Sequence, residues 1–357
     1  MVITTSQQNT GTLHRLLESL LSAEYLHPDL PRLFITFNPN TTTPTVLRLL
    51  QRWPSDRLIL RQQIAPLHTS FPGALQSWYP NSDHEYVLVL QDNVELSPWY
   101  MYWLHLSLMR YVYAVPSNEQ PSTSLLTGIS LQSAPQGRSN THQTLDIRTV
   151  LLMAPMYTGW TSYTTPYVWQ DTLFHSTLFF PSQWKEFHTY ISLREALGGG
   201  IPLATDHLPR FSSSASALSL ENYWLELVLA RGYAVLYPNF DGGTSFAVQH
   251  VESVTAEMQT ETPLIEWGEF FEQIDQGIPD WQDLPVVDFE RRVVGWDGLD
   301  RTSRRYQRGL SNCKDFPQEK WDVRDLFCRP DEGGHWERVG HDHDVLRGSD
   351  ERTEHRN

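Results

Sequence analysis

Gln91-Asp92-Asn93-Val94-Glu95 brings two carboxylates and two amides into five residues, directly after the apolar run Tyr86-Val87-Leu88-Val89-Leu90 and just before Ser97-Pro98. A short apolar run bounded by turn residues reads as a buried strand, and Ser followed by Pro reads as a helix start. The polar segment therefore stands where a strand reaches the surface of a sheet. Open α/β sheets bind ligands outside the carboxyl ends of their strands, and a carboxylate there can hold a divalent cation that neutralises a nucleotide's phosphates. The residue types fit a metal and nucleotide site. They fit an ordinary turn equally well, because Asp and Asn side chains bond nearby backbone and help to cap the next helix.

The elements that would position this segment alternate along the first 110 residues. Strands are expected at Val2 to Thr5, Leu33 to Phe37, Leu58 to Arg61 and Tyr86 to Leu90. Between them lie helical patterns: Thr12 to Ala23, with Leu13, Leu16, Leu17, Leu20 and Leu21 at helical spacing, then Thr45 to Arg52 and a short helix around Ala74 to Trp78. Such βα repeats predict a mainly parallel, Rossmann-like α/β sheet flanked by helices. After Ser97 a long aromatic helix runs to about Tyr113.

The middle of the chain is less regular. Strands are expected at Thr127 to Leu131 and Val150 to Met153, with a polar loop from Ser133 to Thr144. Leu178-Phe179-Phe180 precedes a helix opening at Pro181, which carries Trp184, Phe187 and Ile191 on one face. Gly198-Gly199-Gly200 and the serine-rich run Ser212 to Ser216 bracket a segment that reads as a mobile loop. Helix Leu220 to Ala230, the stop at Arg231-Gly232 and strand Tyr233 to Tyr237 then restore the α/β pattern.

Composition narrows the function classes. The 357 residues carry a formal net charge of −15, and 40% are hydrophobic, enough for a sizeable core. Residues 290–357 hold 14 of the 27 Lys and Arg, which leaves residues 1–289 at about −14. A body this acidic repels nucleic acid and anionic lipid as broad-surface partners. Beyond about Phe289 the chain is charged and poor in apolar runs, so a polar tail is expected over 290–357, ordered at most around Trp321 to Cys328. Cys313 and Cys328 are too few for a disulfide framework; pairing with each other and two free thiols are both open. No stretch approaches the ~20 apolar residues of a membrane span.

Longer motifs carry more information than any one of these features. In order they are Arg15-Leu16-Leu17-Glu18-Ser19-Leu20-Leu21, Ser77-Trp78-Tyr79-Pro80, Gln91 to Pro98, Gly128-Ile129-Ser130-Leu131 and Pro166-Tyr167. Phe180 to His188 with Tyr190 to Arg194, Glu226-Leu227-Val228, Arg231-Gly232-Tyr233 and Leu236 to Phe240 follow. Together they resemble family 2-type glycosyltransferases of the GT-A fold, in particular a fungal group whose strand-end motif reads Leu-Glu-Asp-Asp-(Ile/Val)-Glu-(Val/Leu)-Ser-Pro. The resemblance runs from about Val2 to Glu252. It implies a GT-A-like domain over 1–289, with a nucleotide-binding half at 1–113 and an acceptor half at 114–289.

The resemblance implies a transferase that takes a sugar from a nucleotide-diphosphate donor and passes it to a glycan, glycolipid or small-molecule hydroxyl. Mn²⁺ or Mg²⁺ would bridge the diphosphate through an Asp-x-Asp-like element, here Asp92 and Asn93, with His250 as a further metal or diphosphate contact. Thr4, Thr5 and Ser6, at the end of the first strand, match positions that contact the base and ribose, and Asp92 would bind the donor. Glu221 and Glu226 match acidic positions from which a general base for the acceptor is drawn; being five residues apart on a helix, they point in different directions. The motif is incomplete, since Gln91 and Asn93 stand where the family has Glu and Asp. That change leaves three readings open: weak metal binding through Asp92 and Asn93, metal-independent catalysis, or lost activity. A catalytically degenerate GT-A domain acting as a binding or scaffold module is therefore the second expectation.

Further candidates come from the middle region. Leu173-Phe174-His175-Ser176-Thr177 replaces an acceptor-cleft element of the family, and His175 there is polar or structural. Trp160, Tyr163, Tyr167 and Trp169 form either an acceptor platform or core packing. The family implies a secretory-pathway protein in the Golgi or endoplasmic reticulum lumen. The sequence contains no signal peptide or transmembrane segment, so an upstream anchor missing from it and a cytosolic location are both open.

Overall fold

Ten strands form one mixed sheet in a computed structural model that describes residues 1–4, 10–37, 44–62, 78–114, 124–133, 165–170, 174–196, 220–240, 243–250, 263–275, 277–311, 313, 322–330 and 336–338. The amino-terminal half contributes β1 (Val2–Thr4), α1 (Thr10–Ser22), β2 (Leu33–Phe37), α2 (Pro44–Leu50), β3 (Leu58–Gln62), β4 (Val87–Gln91), β5 (Val94–Leu96) and α3 (Tyr100–Leu108). Next come β6 (Leu126–Ser130), β7 (Tyr167–Trp169), β8 (Thr177–Phe179), α4 (Pro181–Ala196), α5 (Leu220–Arg231), β9 (Ala234–Tyr237) and β10 (Ala247–Gln249). The chain continues through α6 (Trp267–Asp275), β11 (Val286–Val287), β12 (Val293–Val294) and α7 (Trp296–Leu310).

The sheet order is β12-β11-β7-β9-β6-β8-β4-β1-β2-β3. The strands β3, β2, β1 and β4 are mutually parallel, as the early βα alternation requires. The other half is mixed: β9 runs parallel to β6 and β11 parallel to β7. There β8 runs antiparallel to both β4 and β6, and β7 runs antiparallel to β9. Parallel pairing needs a crossover between successive strands, and the sequence loses its regular βα alternation in this region. Gly128 explains how closely β6 and β8 approach: a Cβ there would lie 2.4 Å from the Leu178 carbonyl oxygen.

Strand alternation divides the core into two layers. Leu88 and Leu90 pack with Leu13, Leu16, Leu17 and Leu20 of α1 and with Trp103 of α3. Val87 and Val89 face the opposite layer, where Trp184, Phe187 and Ile191 of α4 meet Trp224, Leu227 and Val228 of α5. The expected apolar face of α4 is thus buried. Gly232 ends α5 with φ +69°, and Tyr233 N–H donates to the Val228 carbonyl at 2.9 Å, a left-handed stop that only glycine adopts without strain.

The charged tail expected from residue 290 is corrected over its first part. Val293 and Val294 extend the sheet, and α7 buries Leu299, Tyr306 and Leu310 while exposing its charges. Its apolar residues recur at helical spacing among arginines and aspartates, so mean composition concealed an amphipathic helix. Val323, Leu326 and Phe327 add to the second core layer, and Cys313 and Cys328 form a disulfide with Cα atoms 5.2 Å apart. Among the described residues, no helix is long and apolar enough to cross a membrane. The helix expected around 74–78 lies outside the described residues except for Trp78, and so do the strand at 150–153, the loop at 198–216, Trp160 and Tyr163.

Candidate functional site

From β1 the sheet winds outward through β2 to β3, then resumes at β4 on the other side of β1. That reversal is a topological switch point at the carboxyl ends of β1 and β4, the place where open α/β sheets bind their ligands. Thr4 and Gln91 are register partners at these ends. Asp92 and Asn93 then form a tight turn, after which β5 leaves the main sheet.

Alternation also explains β5. Val94 and Leu96 are buried, which turns the intervening Glu95 outward. The strand packs under α1, and the Leu96 N–H donates to Ser19 Oγ at 3.2 Å. Its other edge pairs antiparallel with β10, matching Val94 to Gln249, Glu95 to Val248 and Leu96 to Ala247. This short ribbon brings Gln249 and His250 to the end of β4 at the switch point.

The result is one polar cluster. His250 N–H donates to the Asn93 carbonyl at 2.9 Å, and Asn93 Nδ2 donates to the His250 carbonyl at 3.2 Å. Gln249 Nε2 donates to Gln91 Oε1 at 2.9 Å and to Asn93 Oδ1 at 3.4 Å. His250 Nε2 lies 2.7 Å from Glu95 Oε2, and Arg15 Nε of α1 lies 3.9 Å from the same oxygen. Asn93 and His250, both expected in the site, are therefore adjacent. Asp92 is beside them in sequence but is only 1% exposed, so it belongs to the floor of the turn rather than its open face.

A hard divalent cation takes several oxygen ligands, and its affinity follows their charge. Gln91 and Asn93 offer neutral amide oxygens, while the Glu95 carboxylate is shared with His250 and Arg15. This donor set fits Mn²⁺ or Mg²⁺ poorly. Amide groups that both donate and accept, beside one carboxylate, one imidazole and one guanidinium, suit sugar hydroxyls and phosphate oxygens instead.

Among the other expected residues, Glu226, Tyr167 and Trp169 have partners outside this cluster. Glu226 is 6% exposed between α4 and α5, where Tyr190 Oη donates to it at 2.5 Å and Arg194 Nη2 approaches both its oxygens at 3.1 and 3.2 Å. Burial raises the Glu226 pKa, while Arg194 and Tyr190 oppose that rise. This is the geometry of a buried structural triad. Glu221 lies in the first turn of α5, but its side chain is outside the described residues, as are Thr5 and Ser6. Tyr167 and Trp169 are buried, and both rings pack on Tyr237, Tyr167 in a stack at 5.6 Å. They are core rather than platform.

Gln249 and Arg15 join the cluster without having been singled out. For Gln249 a signal was present: the apolar run Phe246-Ala247-Val248 ends at this polar residue, directly before His250. Nothing local marks Arg15, because its neighbour Glu95 is remote in sequence.

Comparison with known proteins adds one similarity. A family model described as the SPBC1E8.03c C-terminal domain matches residues 11–163. That span includes α1, the end of β4 and the whole of β5, so it takes in Arg15, Gln91, Asn93 and Glu95. It is less than half of the chain and does not reach Gln249 or His250. No curated protein matches the chain.

Proposed function

We propose that this chain is a GT-A-type glycosyltransferase that binds a nucleotide-diphosphate sugar at the carboxyl ends of β1 and β4. The observation that supports this most is the convergence of Gln91, Asn93 and Glu95 with Gln249 and His250 at a switch point, where α/β sheets place their ligands. Arg15 supplies fixed positive charge for a phosphate oxygen, and the amides of Gln91, Asn93 and Gln249 orient hydroxyls. The paired Glu95 and His250 are suited to accept a proton from an attacking acceptor hydroxyl. The poor fit of the donor set to a divalent cation favours donor binding that does not depend on one. The disulfide at Cys313 and Cys328 supports an oxidising compartment, in keeping with a secretory-pathway enzyme.

The test is calorimetric titration of the folded protein with uridine and guanosine diphosphates and their sugars, with and without Mn²⁺. Saturable binding that Gln249→Ala and His250→Ala weaken is the expected result. No binding across the panel would sink the transferase reading.

A second reading is a GT-A-like domain that binds a glycan or nucleotide without catalysing transfer. Gln91 and Asn93 favour it, because they leave the exposed face of the turn without a carboxylate until Glu95. Donor binding with neither transfer nor donor hydrolysis, across an acceptor panel, would select it.

A further inference from the structure

The body of this protein is acidic, yet α7 carries a stripe of arginines. Arg301, Arg304, Arg305 and Arg308 are all exposed and follow one another at helical i, i+3, i+4 and i+7 spacing. Arg304 is bridged to Asp300 at 2.9 Å within its own helix. The opposite face of α7 is buried through Tyr306 against Leu225 and Leu229 of α5. The arginines are therefore held on a rigid element and directed outward over ~10 Å of helix.

A complementary surface lies on α6. Trp267 and Phe271 remain 38% and 45% exposed, their ring centroids 4.0 Å apart, and Trp267 also contacts Trp99 at 4.2 Å and Tyr102 at 5.4 Å. Asp275 continues the same ridge, with Glu272 on the adjoining row, and both are exposed. The helix contains no Lys or Arg. Phe270 anchors it by packing on Phe246 and Phe240 in the first core layer. Aromatic faces beside carboxylates match guanidinium groups, which stack on the rings and pair with the acids.

The two surfaces have different supports: Phe270 anchors α6 in the first core layer, whereas Tyr306 seats the arginine-bearing half of α7 on Leu225 and Leu229 of α5. We infer that the chain associates head to tail with a second copy of itself, the α7 arginines of one molecule seated on the aromatic and acidic face of α6 in the next. Charge complementarity selects this occupant: a basic stripe faces a chain of net charge −15 whose exposed aromatic ridge is bordered by carboxylates. An anionic membrane would have to approach that same acidic body. In the head-to-tail arrangement each molecule leaves one stripe and one ridge open to a further copy, so association extends to oligomers larger than dimers, whereas a reciprocal two-fold pairing would stop at the dimer. The inference is independent of the transferase reading.

Sedimentation velocity of the full chain over a concentration series, at low and high ionic strength, tests it. The weight-average mass is expected to rise with concentration at low salt and to fall back at high salt. Two variants are compared, Arg305→Glu/Arg308→Glu and Trp267→Ala/Phe271→Ala, each checked for folding by circular dichroism. Each alone is expected to remain monomeric. Mixed together they are expected to form a one-to-one pair and nothing larger, because one keeps the ridge and the other keeps the stripe. A monomeric parent at low salt would overturn the inference, as would an arginine variant that associates like the parent. A parent that stays monomeric but binds vesicles of anionic phospholipid through the arginines would overturn it in favour of a membrane surface.

Discussion

His250 Nε2 and Glu95 Oε2 stand 2.7 Å apart although 155 residues separate them in the chain. Their contact depends on the pairing of two three-residue strands, β5 and β10, beside the switch point. Each residue alone is an ordinary surface group. Together they form the most chemically capable pair in the cluster.

Under the proposed function, Gln249→Ala and His250→Ala should each lower nucleotide or nucleotide-sugar affinity about tenfold, the ~1.4 kcal/mol of one lost hydrogen bond. Asn93→Asp adds a carboxylate to a cation-poor donor set, so it should make binding respond to Mn²⁺. Calorimetry reads both effects. Unchanged affinity in all three variants would remove this cluster from the donor site.

Glu226 should act on stability. Glu226→Ala deprives the buried Arg194 of its counter-charge and Tyr190 of its acceptor, a change that costs about 3–5 kcal/mol in buried pairs. Urea denaturation should record a lower midpoint. If the variant instead unfolds like the parent but loses all transfer activity, Glu226 is the base and the structural assignment fails.

Reduction of the Cys313–Cys328 bridge should loosen the strap that seats Val323, Leu326 and Phe327 in the second core layer. A loss of about 2–4 kcal/mol is expected in Cys313→Ser. Cleavage near residues 322–330 by added protease, absent in the oxidised parent, would accompany it.

Gly128→Ala should destabilise the centre of the sheet. Its Cβ would lie 2.4 Å from the Leu178 carbonyl oxygen and 3.1 Å from Thr177 Cγ2. Backbone cannot move aside as a side-chain tip can, so a cost at or above the usual ~1–3 kcal/mol of overpacking is expected. Thermal unfolding measures it, and a midpoint equal to the parent's would contradict the close β6–β8 approach.

His188 should make the fold acid-sensitive. Burial beside Tyr79 and Trp184 lowers its imidazole from the ordinary 6.5 to about 4. The folded state therefore keeps it neutral while the unfolded chain protonates, so its contribution is present above pH 6.5 and is lost as pH falls toward 4. Glu186 and Glu226, raised mainly by burial, act in the opposite sense, their contribution being lost as pH rises through their folded values. Comparing His188→Phe with the parent isolates the histidine: the variant's stability should fall less between pH 7 and about 4.5.

Local pattern determined much of this molecule. Apolar runs of four or five residues located β2, β4 and β9, leucine spacing located α1, and Arg231-Gly232 located the end of α5, because hydrophobic period and glycine's left-handed freedom act over a few residues. The strand-end segment at Gln91 was legible for the same reason. Mean composition misled at α7, where charge outweighed an apolar stripe recurring along the helix.

Tertiary structure decided what those residues meet. Whether β8 ran parallel or antiparallel depended on the partners β4 and β6, and Gly128 reads as any strand glycine until Leu178 lies against it. Glu226 was a site candidate by sequence, and only the packing of α4 against α5 gave it Tyr190 and Arg194 as partners. Gln249 and Arg15 entered the cluster by the converse route, because ribbon pairing and helix packing set their neighbours. A side chain's chemistry is written in its residue type. Its partners are chosen by contacts between segments far apart in the chain, which no local pattern encodes.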